Sequence, residues 1–213
     1  MGRRAKTPRF EEFNSYVNCF DIKRKPRDWF DIFGNDNPLT LELGAGKAEV
    51  SMGLAKKYKD RNFIAIDRKS DRLWRPAKSA LELKLDNIAF LRLDILSLEE
   101  LIPKKSVDEI WITFPDPFPR DKQAKHRMLN ENFLQIYKKI LKPDAFVHYK
   151  TDNSELFEWT VELLKNLKYI KIDLVERDLH NSNLDEEIKI ITTYEKKFKN
   201  MGYKINYMKF HFV

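Results

Sequence analysis

Four carboxylates sit at or just beyond the ends of short apolar runs in this 213-residue chain. Glu42 lies in 39-LTLEL-43, Asp67 closes 62-NFIAID-67, Asp94 follows 88-IAFLRL-93, and Asp116 follows 107-VDEIWITF-114. Behind the first run comes 44-GAGK-47, where Gly44 and Gly46 let a ligand approach the backbone closely. The third glycine of a dinucleotide fingerprint is missing, because position 49 is Glu. Acids gathered in one crevice disfavour a triphosphate and suit a cationic organic ligand. A metal is the competing use, but these acids lie on separate segments without neighbouring histidines.

S-adenosylmethionine, with its sulfonium, ammonium and adenosine, matches that pattern. Asp67 would accept from ribose hydroxyls. Asp94 would accept from the adenine amino group, or else cap the helix expected after it. The Gly44–Gly46 loop would admit the methionine part, with Glu42 either buttressing that loop or attracting the positive centre. Asp116 sits in 113-TFPDPFPR-120, between prolines that fix φ and restrict the residue before them. A carboxylate held this way is preorganised for binding or catalysis. The segment 120-RDKQAKHR-127 then brings Arg120, Lys122, Lys125, His126 and Arg127, a basic run suited to phosphates.

The elements that must position these groups alternate. Apolar runs at 39–43, 62–67, 88–93, 107–114, 145–150, 169–175 and 203–210 read as strands. Between them the spacing predicts helices over 48–58, 71–85 (with Pro76 inside), 97–102, 129–141, 153–167 and 194–202. Strand–helix alternation implies a parallel sheet with helices on both faces, closed at one edge by an antiparallel C-terminal pair. Ligands of such sheets bind at the carboxyl ends of the strands, where strand order reverses. Residues 1–38 read as a basic, partly helical lead-in ending in the turn formers 34-GNDNP-38, and 39–213 as one domain.

Composition sets the outer bounds. Forty Lys and Arg face 33 Asp and Glu, a net charge of +7, which favours polyanionic partners. The single cysteine, Cys19, excludes a disulfide within the chain and a cysteine-based zinc site, and it suits a reducing cytoplasm. No run approaches the roughly 20 apolar residues of a membrane helix. The basic start, MGRRAK, reads as an arm. His148 reads as a core residue, His180 as a cap or a substrate contact, and Tyr203, Tyr207 and Phe210 as sheet packing.

Together, 41-LELGAGKAEV-50, 64-IAID-67, 90-FLRLD-94, 114-FPDPFPR-120, 148-HYKTDN-153 and 192-TTYEKKF-198 resemble the bacterial tRNA (guanine-N7-)-methyltransferases, from about residue 35 to the C-terminus. The resemblance implies an α/β class I methyltransferase (Rossmann-like) fold, a seven-stranded, mostly parallel sheet with one antiparallel strand. It implies S-adenosylmethionine as donor and the N7 of a variable-loop guanosine of tRNA as target. By motif, Glu42, Gly44, Gly46, Asp67, Asp94 and Asp116 would bind the cofactor, with Asp116 also catalytic. Arg120, Asp152, Thr192, Thr193, Tyr194 and Glu195 would contact the substrate, and Lys122, Lys125, His126 and Arg127 the RNA. The protein would be cytoplasmic, a monomer or homodimer. Ala48, Thr113, Phe118 and Arg120 stand where the family commonly has Gly, Asn, Trp and Lys. Guanine N7 needs no deprotonation, so Asp116 would position the base, with Asp152 or Glu195 holding it and Phe118 stacking on it. The alternatives are an adenine amino-methyltransferase, whose D-P-P-[FYW] motif 116-DPF-118 matches in part, and a non-catalytic RNA-binding module.

Overall fold

The computed structural model describes residues 8–26 and 28–213; the arm at residues 1–6 lies outside them. In chain order the elements are α1 (Pro8–Ser15), β1 (Cys19–Asp21), α2 (Trp29–Phe33), β2 (Leu39–Leu43), α3 (Glu49–Lys57), β3 (Asn62–Asp67), α4 (Ser70–Glu82) and β4 (Ile88–Arg92). There follow α5 (Leu98–Leu101), β5 (Val107–Thr113), α6 (Glu131–Ile140), β6 (Leu141–Thr151), α7 (Ser154–Lys165), β7 (Ile170–Glu176), α8 (Thr193–Asn200) and β8 (Asn206–Phe212).

The strands form one sheet of order β1-β4-β3-β2-β5-β6-β8-β7. Only β8 runs against its neighbours, β6 and β7. The mostly parallel sheet with one antiparallel strand is thus as expected, but it has eight strands rather than seven. The added strand, β1, pairs in parallel with β4, Cys19 opposite Phe90. Three residues are too short to show a periodicity, and their partner lies far along the chain. The last strand also starts later than expected: Tyr203 precedes β8, is half exposed and meets Phe198 edge-on, while Tyr207 and Phe210 are buried in the sheet.

Strand side chains alternate between two cores, as the pleat requires. Leu41, Leu43, Ile64, Ile66, Ile110 and Ile112 face the core that α5, α6 and α7 cover. Phe63, Ala65 and Trp111 face the other core, covered by α1, α3 and α4. After β4 the chain crosses from one half of the sheet to β5, so the strand order reverses between β2 and β5. That reversal opens a crevice at the carboxyl ends of these two strands.

His148 packs flat on Trp111, with ring centroids 4.3 Å apart, and its two ring nitrogens meet the Tyr207 hydroxyl and Glu109 at 2.8 Å each. It is the core residue that the sequence suggests. Burial opposes ionisation of Glu109, but His148 and Arg61 outweigh it and hold that carboxyl down at about 2.

Cys19 is sealed beneath α1 and α4, and burial pushes its thiol up. A thiol reagent should therefore label the native protein only when the β1 edge opens. The labelling rate should rise steeply at denaturant concentrations below the global unfolding midpoint, which stopped-flow thiol labelling would measure.

Candidate active site

The glycine loop is clamped from both sides. Gly44 and Gly46 have φ of 67° and 55°, and a Cβ on Gly44 would come within 3.3 Å of Met128 Sδ. Gly46 N–H donates to Asp67 Oδ2 at 3.0 Å, and Lys69 N–H donates to Asp67 Oδ1 at 2.8 Å. From below, the Ser51 N–H in the first turn of α3 donates to Glu42 Oε2 at 2.8 Å. Of the two uses expected for Glu42, the buttress is what the hydrogen bond shows. Glu42 is 1% exposed, and its burial pushes its carboxyl up to about 7.

Two cavities meet here. One of about 470 Å³ is lined by Glu42, the glycine loop, Thr113, Asp116 and the Thr192–Tyr194 turn. A smaller one of about 190 Å³ is lined by Asp67, Asp94, Leu93, Ile95, Met128 and Phe133. Gly44, Arg72 and Asp116 belong to both. The expected cofactor residues therefore do converge. Asp94 also accepts from Leu96 N–H at 3.1 Å, so it caps the turn after β4 as well as lining the cavity.

Asp116 sits exposed where the cavities join, at the apex of a strained loop. Phe114 and Phe118 both have positive φ, 51° and 45°, and each precedes a proline. Such a residue costs roughly 1–2 kcal/mol and persists only where its surroundings dictate it. Both shoulders are pinned. Phe114 N–H donates to the Lys150 carbonyl at 2.8 Å, and its ring packs on Tyr194 at 5.1 Å. The Phe118 carbonyl accepts from Arg127 Nε and Nη2 at 3.2 and 3.1 Å.

That last contact corrects an expectation. Arg127 does not face RNA: it is 7% exposed, and its guanidinium lies over the Trp159 ring at 4.3 Å. Arg120, Lys122, Lys125 and His126 do remain exposed, on a 3-10 turn spanning Asp121–His126 and the residue before it.

Glu195 is a second correction, since it is fully buried and cannot hold a substrate base. One oxygen receives Lys150 Nζ at 3.1 Å and the Thr192 N–H at 3.2 Å; the other meets His180 Nε2 at 2.7 Å. Thr192 is buried too, and its hydroxyl accepts from Glu195 N–H at 3.0 Å to complete a capping box at the start of α8. Thr193 and Tyr194 face the larger cavity. Asp152 is half-buried, which pushes its carboxyl up. Burial, then the charges of Asp152 and Asp116, push the Tyr194 phenol up, and Tyr194 and Asp116 line the same cavity.

Sequence reading missed Lys150, Arg72 and Glu49. Lys150 carried a signal: a lysine ending the apolar run 145-AFVHYK-150 can be buried only with a partner. Burial lowers its ammonium, against the pull of Glu195. Arg72 lies 3.7 Å from Asp67, and Glu49 accepts from Thr193 N–H at 2.8 Å, tying α3 to α8.

An open parallel sheet with an acid-lined crevice and a glycine loop at its switch point is the architecture of class I methyltransferases. Solved structures agree in fold: an antibiotic-related methyltransferase matches with a TM-score of 0.63 at 21% identity, covering 87% of this chain and 92% of that one. The 16S rRNA methyltransferase KamB matches at 0.65 and 13% identity, over 87% and 92%. Residues 36–208 match the family described as "Putative methyltransferase". The tRNA (guanine-N(7)-)-methyltransferase of Cytophaga hutchinsonii is 40% identical over 99% of this chain and 98% of its own. That of Christiangramia forsetii is also 40% identical, over 99% of each. The chain belongs to this tRNA (guanine-N7-)-methyltransferase family.

Replacing Lys150 by Ala would strand the Glu195 carboxylate in the interior. Denaturant unfolding should show a loss of about 3–5 kcal/mol. Glu42 makes a pH-dependent prediction. Its folded carboxyl titrates near 7 rather than 4.5, so the folded state holds the extra proton between those values. Its contribution to stability is present below pH 4.5 and is lost as pH rises through 7. Relative to wild type, Glu42→Gln should gain about 3 kcal/mol across that window, measured by unfolding at a series of pH values.

Proposed function

We propose that this protein methylates N7 of a guanine in tRNA, the variable-loop guanosine, with S-adenosylmethionine held in the crevice between the ends of β2 and β5. The observation that carries this reading is the position of Asp116, where the two cavities join, on a loop pinned at both shoulders.

The residues present fit the donor. Apolar Leu93, Ile95, Met128 and Phe133 wall a slot for an adenine, with Asp94 at its rim. Each Asp67 oxygen already accepts one backbone N–H and keeps a lone pair for a ribose hydroxyl. The larger cavity offers the glycine loop, braced by Glu42, to the amino-acid part. When bound, S-adenosylmethionine supplies a methyl group on an electron-poor sulfonium.

Guanine N7 has a lone pair and no proton, so the chain need not supply a base. Its task is alignment, which can lower a barrier by several kcal/mol. Asp116 accepts from the N1–H and N2–H₂ edge of the guanine and holds N7 toward the donor. Tyr194 lines the same cavity as Asp116, and we assign Asp152 to hold the base and the Phe118 ring, two residues beyond Asp116, to stack on it. A methylated N7 leaves a cationic base, which these carboxylates favour. Arg120, Lys122, Lys125 and His126 hold the backbone of the extruded nucleotide.

Incubation with unmodified tRNA and labelled S-adenosylmethionine, then nucleoside mapping, tests the reading. Label should appear in 7-methylguanosine, and Asp116→Ala should lower the rate by about 100-fold or more while the melting curve is unchanged. Label on adenine N6, or full activity of Asp116→Ala, would overturn it.

A further inference from the structure

A second cavity lies beside the donor crevice. It is a groove of about 750 Å³ between α3 and α4, opening beside it and sharing Lys47, Glu49 and Arg72 with it. Five cations line the groove: Arg9, Lys47, Lys56, Arg72 and Arg75. All five are exposed. The two lining carboxylates, Glu49 and Asp71, do not balance them. Glu49 is already engaged by the Thr193 N–H and hydroxyl. Among the described residues, Lys47, Lys56 and Arg75 have no carboxylate within ion-pair distance.

We propose that this groove is a second tRNA contact, which takes backbone phosphates on the face of the sheet opposite the Arg120–His126 segment. The proposal rests on tRNA being the substrate. The two cation sets lie on different sides of the sheet. α3 and α4 pack on the Trp111 side, whereas the Asp121–His126 turn leads into α6, which packs on the Ile110 and Ile112 side. The donor crevice opens at the sheet edge between them.

A nucleotide drawn into that edge leaves strand on both its 5′ and 3′ sides, and cations on both faces give each flank a hold. The groove supplies one of these holds. Its chemistry suits backbone rather than bases: cations rim an apolar floor containing Met52 and Trp74. The Trp74 ring is already met by the Arg9 guanidinium at 5.1 Å and the Lys78 ammonium at 5.8 Å, and its N–H donates to Glu12 at 2.8 Å. It is therefore not a free stacking platform, and the contact should be insensitive to sequence.

The test uses equilibrium tRNA binding over a salt series with the full chain. Lys56→Ala/Arg75→Ala alters two exposed residues that line the groove and not the donor crevice. Its salt slope should be shallower than wild type by roughly 2, about one unit for each phosphate that is no longer neutralised. In steady-state transfer the KM for tRNA should rise about tenfold or more with kcat unchanged, and the affinity for S-adenosylmethionine should stay the same. A control pair at the opposite end of the strands, Lys104→Ala/Lys105→Ala, should leave the slope unaltered. An unchanged slope in the groove variant, or an equal change in the control pair, overturns the proposal. Because binding is read without transfer, label absent from guanine N7 in wild type would refute the functional reading separately.

Discussion

Lys150 joins the two halves of the site. Its backbone carbonyl holds Phe114 N–H at 2.8 Å, which fixes one shoulder of the Asp116 loop. Its ammonium donates to Glu195 at 3.1 Å and to the Ile190 carbonyl at 3.0 Å, which fixes the first turn of α8 and the chain leading into it. One residue at the end of β6 therefore sets both the loop that carries Asp116 and the wall formed by Thr193 and Tyr194. A buried ion pair is weak evidence of net stabilisation, because desolvation opposes the attraction. Its role here is geometric: the ammonium bonds the Ile190 carbonyl and Glu195 at once and so ties the end of β6 to the start of α8.

The loop itself shows why such fixing is needed. Two aromatic residues at positive φ before prolines would relax if released. Lys150 holds the first and Arg127 the second. Arg127 is held in turn by burial against Trp159. Tyr194 packs against Phe114 from outside and stacks on Phe198 at 4.5 Å. Strain, pins and packing together leave Asp116 exposed yet directed, as a positioning carboxylate requires.

The strands that position the cofactor residues are legible in the sequence, since β2, β3, β4 and β5 are apolar runs bounded by turn formers. The four acids are legible because each stands where such a run stops. Interior charge is not. In 120-RDKQAKHR-127 nothing distinguishes Arg127 from its exposed neighbours, because its partners are the Phe118 carbonyl and the distant Trp159 ring. Glu195 looks like an ordinary helix acid until Lys150, 45 residues away, is seen beneath it. The start of α6 differs from its apolar spacing for a local reason: Asn130 caps it by accepting from Asn132 and Phe133 N–H, so Leu129 lies outside the helix. β1 escapes a sequence reading because its pairing is with β4 and not with its own neighbours along the chain.

A single edge must receive a cationic donor and a polyanionic RNA, and burial separates the two tasks. Asp67 lies inside, at 5% exposure, where its field is little screened. Arg120, Lys122, Lys125 and His126 lie outside, where salt screens beyond about 8–10 Å. Arg72 is the exception, lining both donor cavities and the outer groove, 3.7 Å from Asp67. Arg68, Lys69, Lys47 and Lys197 line the same two cavities beside it. Together these cations set positive charge at the mouth of the crevice, around the acids that line it. Asp116, exposed at the junction of the two cavities, is then a carboxylate that both ligands can reach from their own sides.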